Sequence, residues 1–368
     1  MSANLTQHDS LLQFVRQLLP TERLSRLRNL SWLVLALLGS TDSHLGSLAE
    51  AIPLAITDGS VEQRLRRWLK NGSIDVQRWY APFVRAALQA YHPSTIYVVM
   101  DSTAYGAGCR AVVVGLAYAG QVVPLDWRVL KGPKGHTDPA LQIELLAAIQ
   151  PLLPSGQVVL VADSEFGAVE LLTVLQAWGW QYILRVRGNV YLHTAGEAFT
   201  LAQAELARGQ TRAWTDVSWT QKHQFGPVMV VATWQAGEPE PLYVITNTHD
   251  RQAALRVYDW RFWIEPLFGD YKGRGFRLGL SRLRDPERLS RLLLAASIAL
   301  LWSLSLGSHI FQTAHQRLVD RNDRTDRSFF QLGYRFIRHA WKLAQSAQVL
   351  FRINPDWFPS SLTANTVR

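Results

Sequence analysis

Cysteine is almost absent from this sequence, since Cys109 is the only one in 368 residues. A single cysteine excludes a disulfide framework within the chain and a zinc site built from several thiolates. Such sparing use of cysteine is typical of a reducing compartment, so we expect a cytoplasmic location. A secretory signal is not expected either, because no basic segment followed by an apolar core opens the sequence.

Long apolar runs are also rare. The longest extends from Leu292 to Gly307, and it is shorter than the roughly 20 residues that a bilayer-spanning helix needs. A charged residue, Arg291, directly precedes it. We therefore interpret this run as a buried core helix and expect no membrane partner.

Acidic residues are outnumbered, with 29 Asp and Glu against 38 Lys and Arg, which gives a formal net charge of +9. This surplus favours an anionic partner, above all nucleic acid. Hydrophobic residues make up 48% of the chain and charged residues 18%, so a substantial core can be buried. The length is enough for two or three domains.

Helical patterns dominate the first quarter of the chain. Between Leu11 and Tyr91, apolar residues recur at spacings of three and four, which predicts an all-α N-terminal domain over residues 1–91. One predicted helix carries Arg64 and Arg67 among inward-facing apolar residues. A helix-turn-helix DNA-binding region has this pattern, but so does any basic surface helix, and the sequence leaves both interpretations open.

The pattern changes at residue 92. Three β-rich runs separated by glycine-containing turns come first, and helix, strand, helix and strand follow in alternation. This order predicts an α/β domain over residues 92–285 with an RNase H-like mixed sheet. Short strands and polar turns predict a β-rich insertion at about residues 190–250, and helical patterns predict a helical C-terminal region over residues 286–368.

Two acidic residues end hydrophobic β-runs: Asp101 closes IYVVMD, and Asp163 closes VVLVAD. In an RNase H-like sheet these two strands are neighbours, so their ends bring the carboxylates together. Two anions at close range favour a cation between them, and Mg²⁺ or Mn²⁺ is the natural oxygen-bound candidate. Alternatively, each Asp simply caps the turn or helix that follows it.

The segment YDWRFWIEPLFGDYKGRGF places a carboxylate among basic and aromatic residues. At 100° per residue, Tyr258, Arg261, Glu265 and Lys272 fall within a sector of about 60° on one helical face. Such a face offers a metal ligand in Glu265 and phosphate-binding cations beside it. The alternative is an amphipathic helix that happens to be basic. Pro266 is expected to kink or restart the helix.

These residues resemble the DDE transposases of bacterial insertion sequences, in the group with a Tyr-Arg-Glu-Lys signature. The signature is Tyr, two residues, Arg, three residues, Glu, six residues, Lys. Tyr258, Arg261, Glu265 and Lys272 match it at every spacing. The resemblance covers nearly the whole chain, including the VADSEFG and LYVITN segments.

The resemblance implies that Asp101, Asp163 and Glu265 are a catalytic triad that binds two Mg²⁺ ions, with Mn²⁺ as a substitute. Such an enzyme is a cut-and-paste transposase, which cleaves transposon ends and joins their 3′-OH to target DNA by two-metal phosphoryl transfer. Its expected partners are the inverted-repeat DNA of the transposon ends, target DNA and a second copy of itself. We expect residues 286–368 to serve dimerisation and the protein to associate with a bacterial nucleoid.

Further DNA contacts are implied by the same resemblance. The other three signature residues look like clamps on the 5′ phosphate of the non-transferred strand. Arg185 lies where the group places a DNA-contacting base, and Tyr243 or Trp234 is a candidate for stacking on a flipped base. Ordinary packing of these aromatic residues and a solvated Arg185 are the alternatives.

Two other functions compete with an active transposase. A domesticated or inactive relative would only bind DNA, but all three acidic residues of the triad are present. An RNase H-like structure-specific nuclease would need neither the large insertion nor the terminal-phosphate clamp.

Overall fold

The computed structural model describes residues 3–106, 108–135, 137–313, 315–319 and 327–356. Within these residues the chain forms eleven α-helices and ten β-strands. The helices are α1 (Ala3–Leu18), α2 (Leu24–Gly39), α3 (Leu45–Glu50), α4 (Asp58–Lys70), α5 (Val76–Leu88), α6 (Pro139–Ile149), α7 (Val169–Ala177), α8 (Arg251–Tyr258), α9 (Ile264–Gly269), α10 (Pro286–Gln312) and α11 (Phe329–Lys342). The strands are β1 (Thr95–Ala104), β2 (Cys109–Tyr118), β3 (Gln121–Lys131), β4 (Gln157–Ala162), β5 (Gln181–Val186), β6 (Tyr191–His193), β7 (Ala198–Thr200), β8 (Thr211–Trp219), β9 (Phe225–Thr233) and β10 (Leu242–Thr246).

All ten strands join one mixed sheet in the order β3-β2-β1-β4-β5-β10-β9-β8-β6-β7. Strands β1, β4 and β5 run parallel to one another. The remaining neighbours pair antiparallel, including the two hairpins from β1 to β3. The expectation of a mixed α/β architecture is therefore confirmed. Helices connect the parallel strands because a parallel pair needs a crossover connection.

The five strands of residues 190–250 extend the central sheet. Strand β10 pairs antiparallel with β5, with Tyr243 opposite Val186, and β9 pairs with the other side of β10. Without β10, the backbone groups along one side of β5 would lack partners, and covering such an edge is a general requirement of sheets. The insertion is thus physically continuous with the core sheet.

Helix α10 is the central element of the helical part. Its 27 residues make it longer than the apolar run of the sequence, because Asp285 caps it and Pro286 occupies its first position. It contacts α2, α4, α5, α11 and β3. Among the described residues, α10 alone is long and apolar enough to cross a membrane, yet 94% of its most apolar window is buried inside the protein. Buried Arg291 donates to the carbonyl of Leu69 at 3.0 Å, which fixes α10 to α4.

Helices α10 and α11 touch backbone to backbone at two glycines. A Cβ at Gly307 would overlap the carbonyl oxygen of Phe329, and a Cβ at Gly333 would overlap that of Ser303. Only residues without a side chain allow two helices to approach this closely. This crossing holds α11 against the core helix.

Candidate active site

The two aspartates lie side by side where the parallel ladder between β1 and β4 ends. The last residue pair of this ladder is Met100 with Ala162. Asp101 follows Met100 in the sequence, and Asp163 follows Ala162. Strand β1 itself continues to Ala104 through its pairing with β2, so Asp101 does not end the strand as expected. Only its pairing with β4 ends there, because the chain after Ala162 turns away.

Asp101 is a buried carboxyl held between charges of both signs, with 3% of its surface exposed. Burial raises its pKa, the Lys134 ammonium opposes that rise, and the Asp163 carboxylate adds to it. Nζ of Lys134 lies 3.2 Å from Oδ1 of Asp101, and Nη1 of Arg261 lies 3.6 Å from Oδ2. Two cations from distant parts of the chain therefore supply positive charge beside this carboxyl.

Asp163 also acts as a cap, as the alternative interpretation expected. Its Oδ1 accepts a hydrogen bond of 2.9 Å from the amide of Glu165 and starts a short 3₁₀ turn, Ser164–Phe166. The Asp163 side chain is half-buried. Capping engages one carboxylate oxygen and is compatible with a second role for the other.

Glu165 forms a buried polar network that the sequence analysis missed. The side chain is only 4% exposed and accepts from Arg110 at 3.4 Å. Its carboxylate also accepts from Ser102 at 2.7 Å and from Thr137 at 2.5 Å. Ser102 follows Asp101 directly and Glu165 lies two residues after Asp163. The network thus links the two strand segments that carry the aspartates. The only sequence signal was the acidic residue within VADSEFG.

The signature segment is helical throughout, but it is not one uniform helix. Helix α8 ends at Tyr258, a 3₁₀ turn spans Asp259–Trp263, α9 follows, and a π-helical turn spans Asp270–Arg274. The expected single face at 100° per residue is therefore wrong over most of the segment. Pro266 lies in the first turn of α9, where a missing N–H costs no helical hydrogen bond.

Three of the four signature residues nevertheless face the aspartates or their strands. Arg261 approaches Asp101, as described above, and its guanidinium lies over the Tyr258 ring at 5.9 Å. Nζ of Lys272 donates to Oγ1 of Thr103 on β1 at 2.7 Å. Burial lowers the pKa of Lys272. Tyr258 is 3% exposed, and burial raises the pKa of its hydroxyl.

Glu265 does not form a metal-binding group with the two aspartates in the described part of the chain. It is exposed on α9, a helix that contacts β1 and β3. Across the residues that the structure describes, no three His, Cys, Asp or Glu side chains come together closely enough to hold a metal ion. The pair of Asp101 and Asp163 still suits a hard divalent cation, since both offer carboxylate oxygens. The ammonium of Lys134 and the guanidinium of Arg261 lie beside Asp101 and offset the negative charge of the two carboxylates.

A cleft of about 540 Å³ opens beside this site. Arg185, Arg187, Trp219 and Glu165 are among the residues that line it. Arg185 forms an ion pair of 2.5 Å with Glu240. Arg185 was predicted as a DNA contact from the sequence, whereas Trp219, which is 4% exposed, was not predicted to have a role in the site.

The two aromatic candidates of the insertion lie in different surroundings. Tyr243 on β10 is 8% exposed, and burial raises its pKa. Trp234 is half-buried and donates from Nε1 to the carbonyl of Glu238 at 3.0 Å. The Arg208 guanidinium covers its ring at 5.4 Å. Trp234 is thus the more accessible of the two.

Arg64 and Arg67 are exposed on α4 and line a groove of about 740 Å³. Arg23 and Arg26, at the start of α2, line the same groove. Four arginines therefore line one groove, although Arg26 also forms an ion pair with Glu22 at 3.4 Å.

Comparison with known proteins identifies the class. The family model described as Transposase DDE domain matches residues 98–302, which is more than half of the chain. The chain therefore belongs to this transposase family. The match includes both aspartates and the complete signature segment.

A solved structure, described as a cryo-EM structure of the piggyBac transposase synaptic complex with hairpin DNA, is similar to this chain with a TM-score of 0.46 and 9% sequence identity. The match covers 92% of this chain and 77% of that chain. No curated protein matches the sequence.

Proposed function

We propose that this chain is a cut-and-paste DNA transposase of a bacterial insertion sequence, from the group with the Tyr-Arg-Glu-Lys signature. It cleaves the ends of its element and joins the freed 3′-OH ends to target DNA. The observation that carries this proposal is the adjacency of Asp101 and Asp163 beyond the last parallel pair of β1 and β4. The order β3-β2-β1-β4-β5, with three antiparallel and two further parallel strands, supports an RNase H-like core.

Asp101 and Asp163 would hold the divalent ion, and Glu265 would join them from α9. When bound, Mg²⁺ or Mn²⁺ supplies activation of the attacking oxygen and charge stabilisation of the leaving oxygen, in a pair of ions. Glu265 is exposed, so its side chain is free of competing buried contacts. The network around Glu165 fixes Ser102 and thereby the backbone next to Asp101.

Arg261 and Lys272 bind the phosphate at the DNA end, together with Tyr258. Both cations lie beside Asp101 or its strand, and both can offer charge-assisted hydrogen bonds to phosphate oxygens. Lys134 is a third cation at the same place, 3.2 Å from Asp101. Lys134 lies in the loop after β3, so its ammonium can leave the carboxylate of Asp101 and bind an incoming phosphate instead.

The remaining predicted contacts extend this interface. Arg185 binds DNA at the mouth of the cleft beside the aspartates, and Trp234 or Tyr243 stacks on an extruded base. The four-arginine groove with Arg64 and Arg67 binds the inverted-repeat duplex through its phosphates.

We also propose the division of labour expected from the sequence. Residues 1–91 bind DNA, residues 92–285 catalyse, and residues 286–368 bring two copies together at paired transposon ends. The protein acts in the cytoplasm, on the DNA of the nucleoid.

The test uses a supercoiled plasmid that carries the gene with its flanking DNA. We expect the purified protein to nick, linearise or excise this DNA with Mg²⁺ and to do nothing in EDTA. Asp101→Ala should abolish cleavage and leave DNA binding intact. Glu197→Ala, an exposed acid on the β6–β7 hairpin, is the matched control and should cleave normally. Undiminished cleavage by Asp101→Ala would refute the assignment.

A further inference from the structure

A second basic groove, outside the site described above, lies along α11. Its volume is about 770 Å³, and Arg274, Tyr334, Arg335, Arg338 and Lys342 are among the residues that line it. Helix α11 has the sequence FFQLGYRFIRHAWK, which contains no acidic residue. The groove therefore differs from a mixed-charge surface in having cations without interspersed carboxylates on its main helix.

The cations of α11 form a stripe along one side. Arg335 and Lys342 are exposed and seven residues apart, with Arg338 between them. At 1.5 Å per residue, this stripe is about 10 Å long. One DNA strand places a phosphate every 3.4 Å along the duplex axis, so the stripe matches about three phosphates. Within the described part of the chain, no acidic side chain forms an ion pair with any of these three residues.

The groove continues from the segment that carries Lys272. Arg274 follows two residues later on the same π-helical turn and lines the groove. The ring of Phe276 then packs edge-on against Phe330 at 5.6 Å and against Tyr334 at 6.3 Å. This aromatic cluster holds the signature segment against α11. Arg274 therefore borders the groove on the side of the signature segment, where its Nη2 donates to the carbonyl of Pro266 at 3.1 Å.

The α11 side of the groove is held in place. The hydroxyl of Tyr334 accepts from Nη1 of Arg338 at 2.9 Å, which orients the guanidinium. Helix α11 is locked to α10 by the backbone contact at Gly333. A basic surface that is already ordered loses little conformational entropy when a ligand binds.

We propose that the groove formed by Arg274, Arg335, Arg338 and Lys342 binds the sugar-phosphate backbone of duplex DNA. It extends the path of the strand whose end lies at Lys272, and in this respect it rests on the proposed function. A second copy of the chain is a poorer occupant. A two-fold interface through this face would set the cations of each copy against one another.

The experiment measures how salt weakens binding to a 30-base-pair duplex that carries the DNA flanking the gene. Fluorescence anisotropy in EDTA, over a series of KCl concentrations, gives the slope of log K against log salt without any cleavage. Each lost phosphate contact reduces this slope by about 0.9, so Arg335→Ala with Lys342→Ala should reduce it by about 2. Arg335→Lys should retain the wild-type slope, because it keeps the charge.

The matched control replaces two exposed cations outside the groove and outside residues 1–91, Arg251 and Lys222, with alanine. The control should keep the wild-type slope, and circular dichroism should show that both double variants are folded. An unchanged slope in the double variant of Arg335 and Lys342 would refute the DNA-binding role of the groove. If this double variant loses self-association while its slope is unchanged, the groove is instead an interface between two copies of the chain. If the slope falls but the wild-type protein never cleaves the plasmid, the groove stands and the proposed function fails.

Discussion

Asp270 is a buried acid on the turn that carries Lys272, and we expect Asp270→Asn to stabilise the protein more strongly as the pH rises. The residue is 3% exposed, and its Oδ1 lies 3.7 Å from Nε of Arg274. Burial raises the pKa of Asp270 from its usual 3.8 to about 7, although the Arg274 guanidinium opposes this. The folded protein therefore prefers the neutral carboxyl.

The size of the effect follows from proton linkage. A carboxyl with a raised pKa in the folded state contributes full stability below pH 3.8 and loses it as the pH rises towards 7. The complete loss corresponds to about 4 kcal/mol above pH 7, and about 2 kcal/mol is already lost at pH 5. Asn carries no charge at any pH, so Asp270→Asn removes this loss. Relative to wild type, the variant should gain about 2 kcal/mol between pH 5 and pH 8.

Urea unfolding at pH 5, 6, 7 and 8, followed by circular dichroism, measures this difference. Asp250→Asn is the control, because Asp250 caps α8 by accepting from the amides of Gln252 and Ala253. Those hydrogen bonds hold the pKa of Asp250 below its usual value, so its replacement should destabilise equally across this range. If Asp270→Asn destabilised the protein equally at pH 5 and pH 8, Asp270 would be an ionised partner of Arg274, and the reasoning would be refuted.

Three further predictions concern the site and its support. Glu165→Gln should slow plasmid cleavage by at least about tenfold, or about 1.4 kcal/mol in the barrier, at unchanged DNA affinity; normal cleavage would show that the network is not needed. Gly333→Ala should cost about 1–3 kcal/mol of unfolding free energy by forcing α11 from α10, whereas Gly279→Ala, with open space around it, should cost much less. Lys134→Ala should lower the Mg²⁺ concentration for half-maximal cleavage, because it removes a competing cation from Asp101; a higher requirement would contradict this.

Local patterns in the sequence were enough to predict the order of strands and helices around the aspartates. Three β-rich runs with short turns became the hairpins of β1 to β3, and the alternating segments became β4 and β5 with their helices. Because the ends of adjacent parallel strands meet at one edge of a sheet, the adjacency of Asp101 and Asp163 followed from that order. Their catalytic role remains a prediction.

Contacts between distant residues could not be predicted in this way. Lys134 reaches Asp101 across 33 residues, and Thr137 reaches Glu165 across 28 residues. The periodicity of single elements carries no information on such pairs. The pairing of β10 with β5, which makes the insertion part of the main sheet, depends on the same kind of long-range contact.

The signature segment shows a second limit of prediction from sequence, which concerns the face on which a side chain lies. A spacing argument assumes one rise and one rotation per residue, whereas this segment passes from α to 3₁₀, back to α and then to π geometry. The tertiary contacts of Arg261 with Asp101 and of Lys272 with Thr103 accompany these changes. Glu265, which the spacing put on the same face, remains exposed.

We propose that Asp101, Asp163 and Glu265 hold the metal for DNA cleavage, and a change of metal preference tests this assignment most directly. A thiolate is a poor ligand for Mg²⁺ and a better one for a softer ion such as Mn²⁺. In the plasmid assay, we predict that Asp163→Cys fails with Mg²⁺ and recovers with Mn²⁺, while Asp163→Ala fails with both. Full cleavage by Asp163→Ala with Mg²⁺ would contradict the account.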